Sequence, residues 1–207
     1  MTTKTVAIIT ARKGSKRLPK KNIRPLLGKT LISYSIDEAI KSKYIDKIVV
    51  STDDETIMSL VENSDEYNKK LLLVKRKKEL SGDKVPTLPV LDDALKAVSK
   101  DYNTVILLQP TSPLRTVQHI DNCLKIFQEE NCTSLVTVKE IDPFDVFTPN
   151  GAIFISTRNL IQKQHKLKDE NVRLVVMPDE ESIDIDTELD FIIAENILRW
   201  KNENRQT

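Results

Sequence analysis

The sequence predicts an α/β protein with three layers and a mainly parallel sheet, and three observations carry that reading. Short apolar runs alternate with amphipathic helical patterns almost to the end of the chain, the order expected of βαβ units. The runs are continuous rather than alternating, as in strands covered on both faces. The length of 207 residues, 39% of them hydrophobic, suits one domain over residues 1–207 with a core large enough to bury.

The strand candidates, in order, are residues 6–9, 48–50, 71–74, 105–108 and 135–138. A helix is predicted over residues 88–98, where Leu88, Leu91, Leu95 and Val98 recur at three- and four-residue spacing. Residues 117–130 repeat the pattern through Ile120, Leu124 and Phe127. Residues 189–200 carry Phe191, Ala194, Ile197 and Leu198, with Thr187 as the cap and Asp190 in the first turn. After Thr148 the order changes: residues 151–155 and 172–176 read as two further strands, with a short helix over 159–164 between them. Tyr34, Phe127, Phe191 and Trp200 fall on apolar stripes and read as packing residues, and His119 and His165 as surface positions.

Composition excludes several function classes. Thirty-two Lys and Arg oppose 31 Asp and Glu, a net charge of +1, so nothing global points to nucleic acid or to an acidic membrane surface. No apolar run approaches the ~20 residues of a membrane span. The N-terminus leads into a strand without a signal-peptide pattern. Cys123 and Cys132 are the only cysteines and form no CxxC, which argues against a zinc ribbon or disulfide scaffold and for the cytoplasm.

Charge is nevertheless concentrated in one place. Between Arg12 and Arg24 there are seven basic residues and no acidic one, so the rest of the chain is formally −6. This segment follows the first strand, where open α/β sheets bind ligands. Gly14 lets the backbone approach a ligand and form an anion-binding nest. Lys and Arg add charge-assisted bonds to phosphate oxygens, so the expected cargo is a polyphosphate. The GxxxxGK[ST] and GxGxxG phosphate loops are both absent. A solvated surface loop is the plain alternative. An RNA stripe is disfavoured because no aromatic residue interleaves with the charges.

The loop also carries a resemblance. Ala11-Arg12-Lys13-Gly14-Ser15-Lys16-Arg17-Leu18-Pro19-Lys20-Lys21-Asn22 resembles the nucleotide-binding signature of the CMP-sialic acid synthetases, the acylneuraminate cytidylyltransferases. Gln109-Pro110-Thr111-Ser112-Pro113-Leu114-Arg115 and the segment from Ser182 to Asp190 agree in order, as do residues 48–55 and 150–155. The resemblance implies a Rossmann-like nucleotide-diphospho-sugar transferase fold. It also implies transfer of CMP from CTP to an acidic nine-carbon sugar, with Mg²⁺ and release of pyrophosphate. In that reading Arg12, Gly14, Ser15, Lys16 and Lys21 cradle the triphosphate. Asn22 and the Ala11 backbone lie near the cytidine, and Arg76 lies close to the base. Asp83 contacts the nucleotide or simply shapes a turn. Gln109 and Arg115 face the sugar, although Arg115 could instead pair with a surface acid. Arg12, Lys21 and Gln109 are the catalytic candidates, and Asp184 and Asp186 the metal ligands. If that segment is extended, residues i and i+2 share a face and both carboxylates reach one ion; the alternative is a pair of turn residues before the last helix.

One stretch departs from the family pattern. Residues 139–149 are shorter than the family's dimerisation and sugar-binding arm, and Thr148 stands where the family usually has an arginine. Eleven residues between Val138 and Asn150 are expected to connect strands without structure of their own, leaving Phe144 and Phe147 partly exposed. The expectation is a monomer or a weak, atypical homodimer. A non-catalytic nucleotide-binding homologue that has lost sugar binding is the alternative function.

Overall fold

In the computed structural model, which describes residues 3–64, 67, 70–141 and 146–204, the apolar runs become strands of one sheet. The first is β1 (Lys4–Ala11). A small hairpin follows, β2 (Pro25–Leu26) and β3 (Lys29–Thr30), and stays outside the main sheet. Then come β4 (Lys47–Thr52), β5 (Leu71–Lys75), β6 (Tyr102–Leu108), β7 (Ser134–Ile141), β8 (Val146–Thr157) and β9 (Arg173–Val176). The seven sheet strands lie in the order β5-β4-β1-β6-β8-β7-β9. Every pair is parallel except those of β8, which runs against both β6 and β7.

The continuous apolar runs have a direct structural cause. Along β1, Ala7 and Ile9 enter one core while Val6 and Ile8 enter the other, because successive strand side chains point to opposite faces. The first core is closed by α1 (Leu31–Lys41), α2 (Glu55–Glu62) and α4 (Val117–Glu129) through Ile36, Ile57 and Leu124. The second is closed by α3 (Thr87–Leu95) and α5 (Arg158–Gln162) through Leu91, Leu95 and Ile161. Each fully buried Leu or Ile contributes roughly 1.5–3 kcal/mol, so a charged residue at Ile8 or Val49 would break the sheet at its centre. The result is the three-layer Rossmann-like architecture that the sequence predicts.

Two helices fall outside the sequence periodicity. In α1 the apolar Leu31, Ile32 and Ile36 are interleaved with Ser33 and Ser35, which are buried as well, so the polar face that would mark an amphipathic helix is blurred. In α2, eight residues are too few for the pattern to stand out. The last helix, α6 (Glu188–Asn204), starts as predicted, with Asp190 Oδ2 accepting from the amide and hydroxyl of Thr187. Its first half buries Phe191 and Ala194 against Leu18, Leu26, Leu31 and Ile185. Trp200 does not pack as the stripe suggests: it is 63% exposed, because α6 runs past the edge of that cluster.

The short 139–149 stretch also differs from expectation. Instead of a bare connection, β7 and β8 continue as an antiparallel ribbon, with Lys139 opposite Thr148, Glu140 opposite Phe147 and Ile141 opposite Val146. Cross-strand pairing thus carries β7 and β8 beyond the points where their ladders with β9 and β6 end. Phe147 is 44% exposed, as expected; Phe144 lies outside the described residues.

Candidate active site

The segment after β1 is folded by three tethers. Leu18 is buried in the third cluster, the Asn22 amide donates to the Arg12 carbonyl at 3.0 Å, and the Lys13 N–H donates to Asp53 Oδ1 at 2.8 Å. The loop is thereby wrapped around a cleft of about 460 Å³ at the C-terminal ends of the parallel strands, a volume suited to a small molecule. Loop residues Arg12, Gly14, Ser15, Lys16, Lys21 and Asn22 line one wall. Arg76, just past β5, and Asp83 line a second, and Gln109, Thr111 and Asp186 a third. A Cβ at Gly14 would meet no protein atom, so any need for glycine there would come from a ligand.

The cations are held by carboxylates that an anion could replace. Asp83 accepts from Arg12 and pairs with Lys16 at 2.7 Å. Those hydrogen bonds, that from Lys16 first, hold its carboxyl below the usual carboxylate range. Arg17 reaches Asp186 at 2.9 Å. Lys21, far less exposed, donates to the Ile185 carbonyl at 2.6 Å and to Asp186 Oδ1 at 3.1 Å. Exposed pairs of this kind contribute little net stability, so exchanging Asp83 for phosphate oxygens costs the fold little. Arg76 is buried, donating to the Ser51 hydroxyl and carbonyl. Burial lowers its pKa, Asp53 opposes that shift and Arg12 reinforces it.

Across the cleft, Ile185 is fully buried in the third cluster and its N–H donates to the Thr111 carbonyl at 2.8 Å. With Ile185 turned inward, Asp184 and Asp186 flank it in a stretch outside helix and strand, near enough for their charges to interact. Asp184 keeps an accessible edge, yet its carboxyl is crowded. Desolvation raises its pKa, a hydrogen bond from Thr111 opposes this, and the like charge of Asp186 adds to it. Two carboxylates that repel one another fit a hard divalent cation. Among the described residues no group of three or more His, Cys, Asp or Glu could hold a metal. A cation here would therefore complete its shell with substrate oxygens and water.

Gly151 completes this wall. Its φ is 78°, a left-handed conformation open to glycine. A Cβ there would lie 2.9 Å from Gln109 Oε1 and 3.2 Å from Asp184 Oδ2. Gln109 and Asp184 approach each other across a position that has no room for a side chain. Asn150 fixes the backbone beside it, accepting from Thr137 Oγ1 and the Ala152 N–H and donating to Ser182 Oγ.

Of the residues singled out from sequence, ten line the cleft: Arg12, Gly14, Ser15, Lys16, Lys21 and Asn22 with Arg76, Asp83, Gln109 and Asp186. Asp184 adjoins them through Gln109 and Gly151. Ala11 does not line the cleft; it is fully buried at the end of β1. Arg115 corrects its expectation. At 2% exposure it neither faces the cleft nor pairs with a surface acid, and its guanidinium is spent on protein acceptors. His119 is likewise no free surface residue. It caps α4 with Thr116 and pairs with Glu181 at 2.9 Å. Thr111 and Gly151 were not identified as site residues; the Asn-Gly dipeptide inside a strand was the available signal for Gly151.

Sheet and cleft together define the class: a Rossmann-like α/β protein with a cation-lined cleft at the strand ends, where such sheets bind nucleotides. A family model described as cytidylyltransferase matches residues 6–185. The chain belongs to the cytidylyltransferase family. It is 33% identical to an N-acylneuraminate cytidylyltransferase of Escherichia coli, over 99% of this chain and 54% of the relative. It thus spans about half the length of the first curated relatives it matches. That match runs over 239 positions although the chain has 207 residues, so the relative carries residues within the matched span that this chain lacks. A CMP-N,N'-diacetyllegionaminic acid synthase of Legionella pneumophila is 29% identical over 96% of this chain and 97% of its own length. A solved structure of a CMP:2-keto-3-deoxy-manno-octonic acid synthetase complexed with CTP has a TM-score of 0.74 at 15% identity, covering 96% of this chain and 99% of that one. At that identity the likeness is one of fold.

Proposed function

We propose that this protein transfers CMP from CTP to a nonulosonic acid, an acidic nine-carbon sugar, releasing pyrophosphate. The observation that carries this reading is the convergence of Arg12, Lys16, Lys21 and Arg76 on one cleft that also holds Gln109 and Asp186. Relatives named for CMP transfer to sialic, legionaminic and pseudaminic acids support it.

In this mechanism the sugar's anomeric hydroxyl attacks the α-phosphorus, a new P–O bond forms and the bond to pyrophosphate breaks. Little covalent work falls to the protein, so catalysis is positioning and neutralisation of developing charge. Arg12, Ser15, Lys16 and Lys21, with the backbone at Gly14, hold the triphosphate. As it enters, Asp83 gives up Arg12 and Lys16. Lys21 stands between the phosphate loop and the acid segment and so faces charge building on the leaving group. Arg76 and Asn22 flank the cytidine, with Ala11 contributing only through the backbone it ends. Gln109 orients the sugar. Asp184 and Asp186 would hold Mg²⁺, which when bound neutralises phosphate charge and lowers the hydroxyl's pKa.

No helix among the described residues is long and apolar enough to cross a membrane, and we place the activity in the cytoplasm. With a short β7–β8 ribbon and Thr148 opposite Lys139, the protein works as a monomer or a weak homodimer, which sedimentation at micromolar concentration would measure. The deciding experiment is pyrophosphate release with CTP, Mg²⁺ and a panel of N-acetylneuraminic, legionaminic and pseudaminic acids. Release with at least one acid is expected. CTP binding without release from any of them would favour a non-catalytic homologue, the reading that the short arm makes its rival.

A further inference from the structure

The ladder between β6 and β8 stops at Leu108 opposite Ile153. The next residues, Gln109 and Ala152, both turn carbonyls toward one guanidinium. Arg115 Nη1 donates to the Gln109 carbonyl at 3.1 Å and to the Ala152 carbonyl at 2.7 Å. Nη2 donates to Ser35 Oγ at 2.5 Å, and that hydroxyl donates to the Gln109 carbonyl at 3.2 Å. Two carbonyls cannot bond to each other, so without a donor between them these strand ends would separate or admit water.

Arg115 is an expensive way to supply that donor. It is 2% exposed, and its Nε has no hydrogen-bond partner among the described residues. A buried cation without a paired carboxylate is a cost to the fold. Stability alone would favour an apolar side chain of similar volume, so the residue calls for a reason beyond packing. The two carbonyls it joins supply one: they belong to Gln109, whose side chain enters the cleft, and to the residue after Gly151, where Gln109 Oε1 and Asp184 Oδ2 converge.

We infer that Arg115 is a positioning residue: its guanidinium acts as a rung between the ends of β6 and β8, setting where Gln109 stands against Gly151 and Asp184, and hence how the sugar is held. This rests on the proposed function only for the ligand that Gln109 orients. A planar fork with several donors meets two carbonyls and a hydroxyl together, which the point-charge ammonium of a lysine does not.

The test uses the purified full chain carrying Arg115→Met, Arg115→Lys, Gln109→Ala and the Arg115→Met/Gln109→Ala pair. CTP affinity of the Arg115 variants should stay within about twofold, because the phosphate loop is untouched. The KM for the acid that supports turnover should rise roughly tenfold or more, the scale of a lost charged hydrogen bond. Gln109→Ala should then cost markedly less in the Met background than in the native chain, the mark of two residues acting as one. Additive effects, or an equal loss of CTP affinity, would overturn the inference. If the native chain turns over no acid, the functional reading fails separately, and the rung is read from the NMR signal of the Gln109 side-chain amide. That signal should shift in both Arg115 variants, and an unchanged position refutes the rung. If the Met variant does not fold, the Lys variant gives the same comparisons.

Discussion

On one side of the cleft, β5, β4, β1 and β6 run parallel, and the middle strands are sealed: Val6, Ile8, Ile48 and Val49 are all 0% exposed. On the other side β8 reverses direction, β7 and β8 run out as a ribbon, and Leu174 and Val176 on the edge strand β9 remain 40% and 53% exposed. The sealed side leaves its chemistry to the loops after its strands, chiefly the basic segment after β1. The open side assembles its part of the site by packing distant pieces against one another: Gly151 from β8 and the 184–186 stretch before α6, set against Gln109 just past the end of β6, the strand where the two sides join. In the proposed function, phosphate binding would rest on a local sequence, whereas recognition of the sugar would rest on segments brought together from β6, β8 and the stretch before α6.

Asp186 is where the two sides meet, since it touches Lys21 and Arg17 from the loop and acts by its charge on Asp184. Asp186→Asn is therefore expected to have the largest effect. It should leave the fold intact, because Asn can still accept from Lys21, and cut Mg²⁺-dependent turnover roughly a hundredfold or more, the scale of losing metal stabilisation of a developing charge. A Mg²⁺ titration of turnover checks this. A native maximal rate in the variant would separate the acid segment from the chemistry.

Lys21→Ala comes next. Its ammonium is mostly enclosed and makes charged hydrogen bonds, so its loss should weaken CTP by about 1.5–3 kcal/mol. Calorimetric titration reads this directly, and unchanged affinity would remove the loop's claim to the triphosphate.

The same division explains what could be read from the sequence. The central strands were legible because both of their faces are buried, so β1 and β4 appear as unbroken apolar runs. The loop was legible because its seven basic residues fall within thirteen positions with no acidic residue among them. What could not be read is the cluster of Leu18, Leu26, Ile185 and Phe191, which brings Lys21 against Asp186. No periodicity links segments separated by more than 160 positions in the chain. Arg115 was misjudged for a similar reason: its acceptors are the carbonyl of Gln109 just past β6, a carbonyl of β8 and a hydroxyl of α1, and sequence does not show that they meet. The pairing of 139–141 with 146–149 was missed because its apolar residues Ile141, Val146 and Phe147 are exposed and do not form the regular alternation that marks a strand.

Gly151→Ala sharpens the comparison on the open side. A non-glycine residue in the left-handed region costs roughly 1–2 kcal/mol, and the added Cβ would push the flexible Gln109 amide away from Asp184. Denaturant melts should record that loss of stability. The KM for the sugar should rise well beyond any change in CTP affinity. If both ligands weaken alike, Gly151 serves the fold alone and the two sides are not separable in this way.

The smallest expected effect is a dependence on pH that belongs to the open side. The segment before the acid pair is anchored by a histidine, the side chain whose ordinary pKa lies nearest the neutral range. His119 Nε2 faces Glu181, whose other oxygen takes Lys201 from α6, and Arg115 lies nearby. Burial lowers the His119 pKa, outweighing the attraction of Glu181, while Lys201 and Arg115 act with burial. A histidine with a lowered folded pKa binds its proton more readily when the chain is unfolded. Stability is therefore constant above the unfolded value of about 6.5 and declines as pH falls through it toward the folded pKa. His119→Gln can still cap α4 and donate to Glu181 but does not titrate. Its urea midpoint should fall less than the native midpoint between pH 7.5 and about 5.5. Parallel curves for the two proteins would show that His119 does not couple the anchoring of the acid segment to pH.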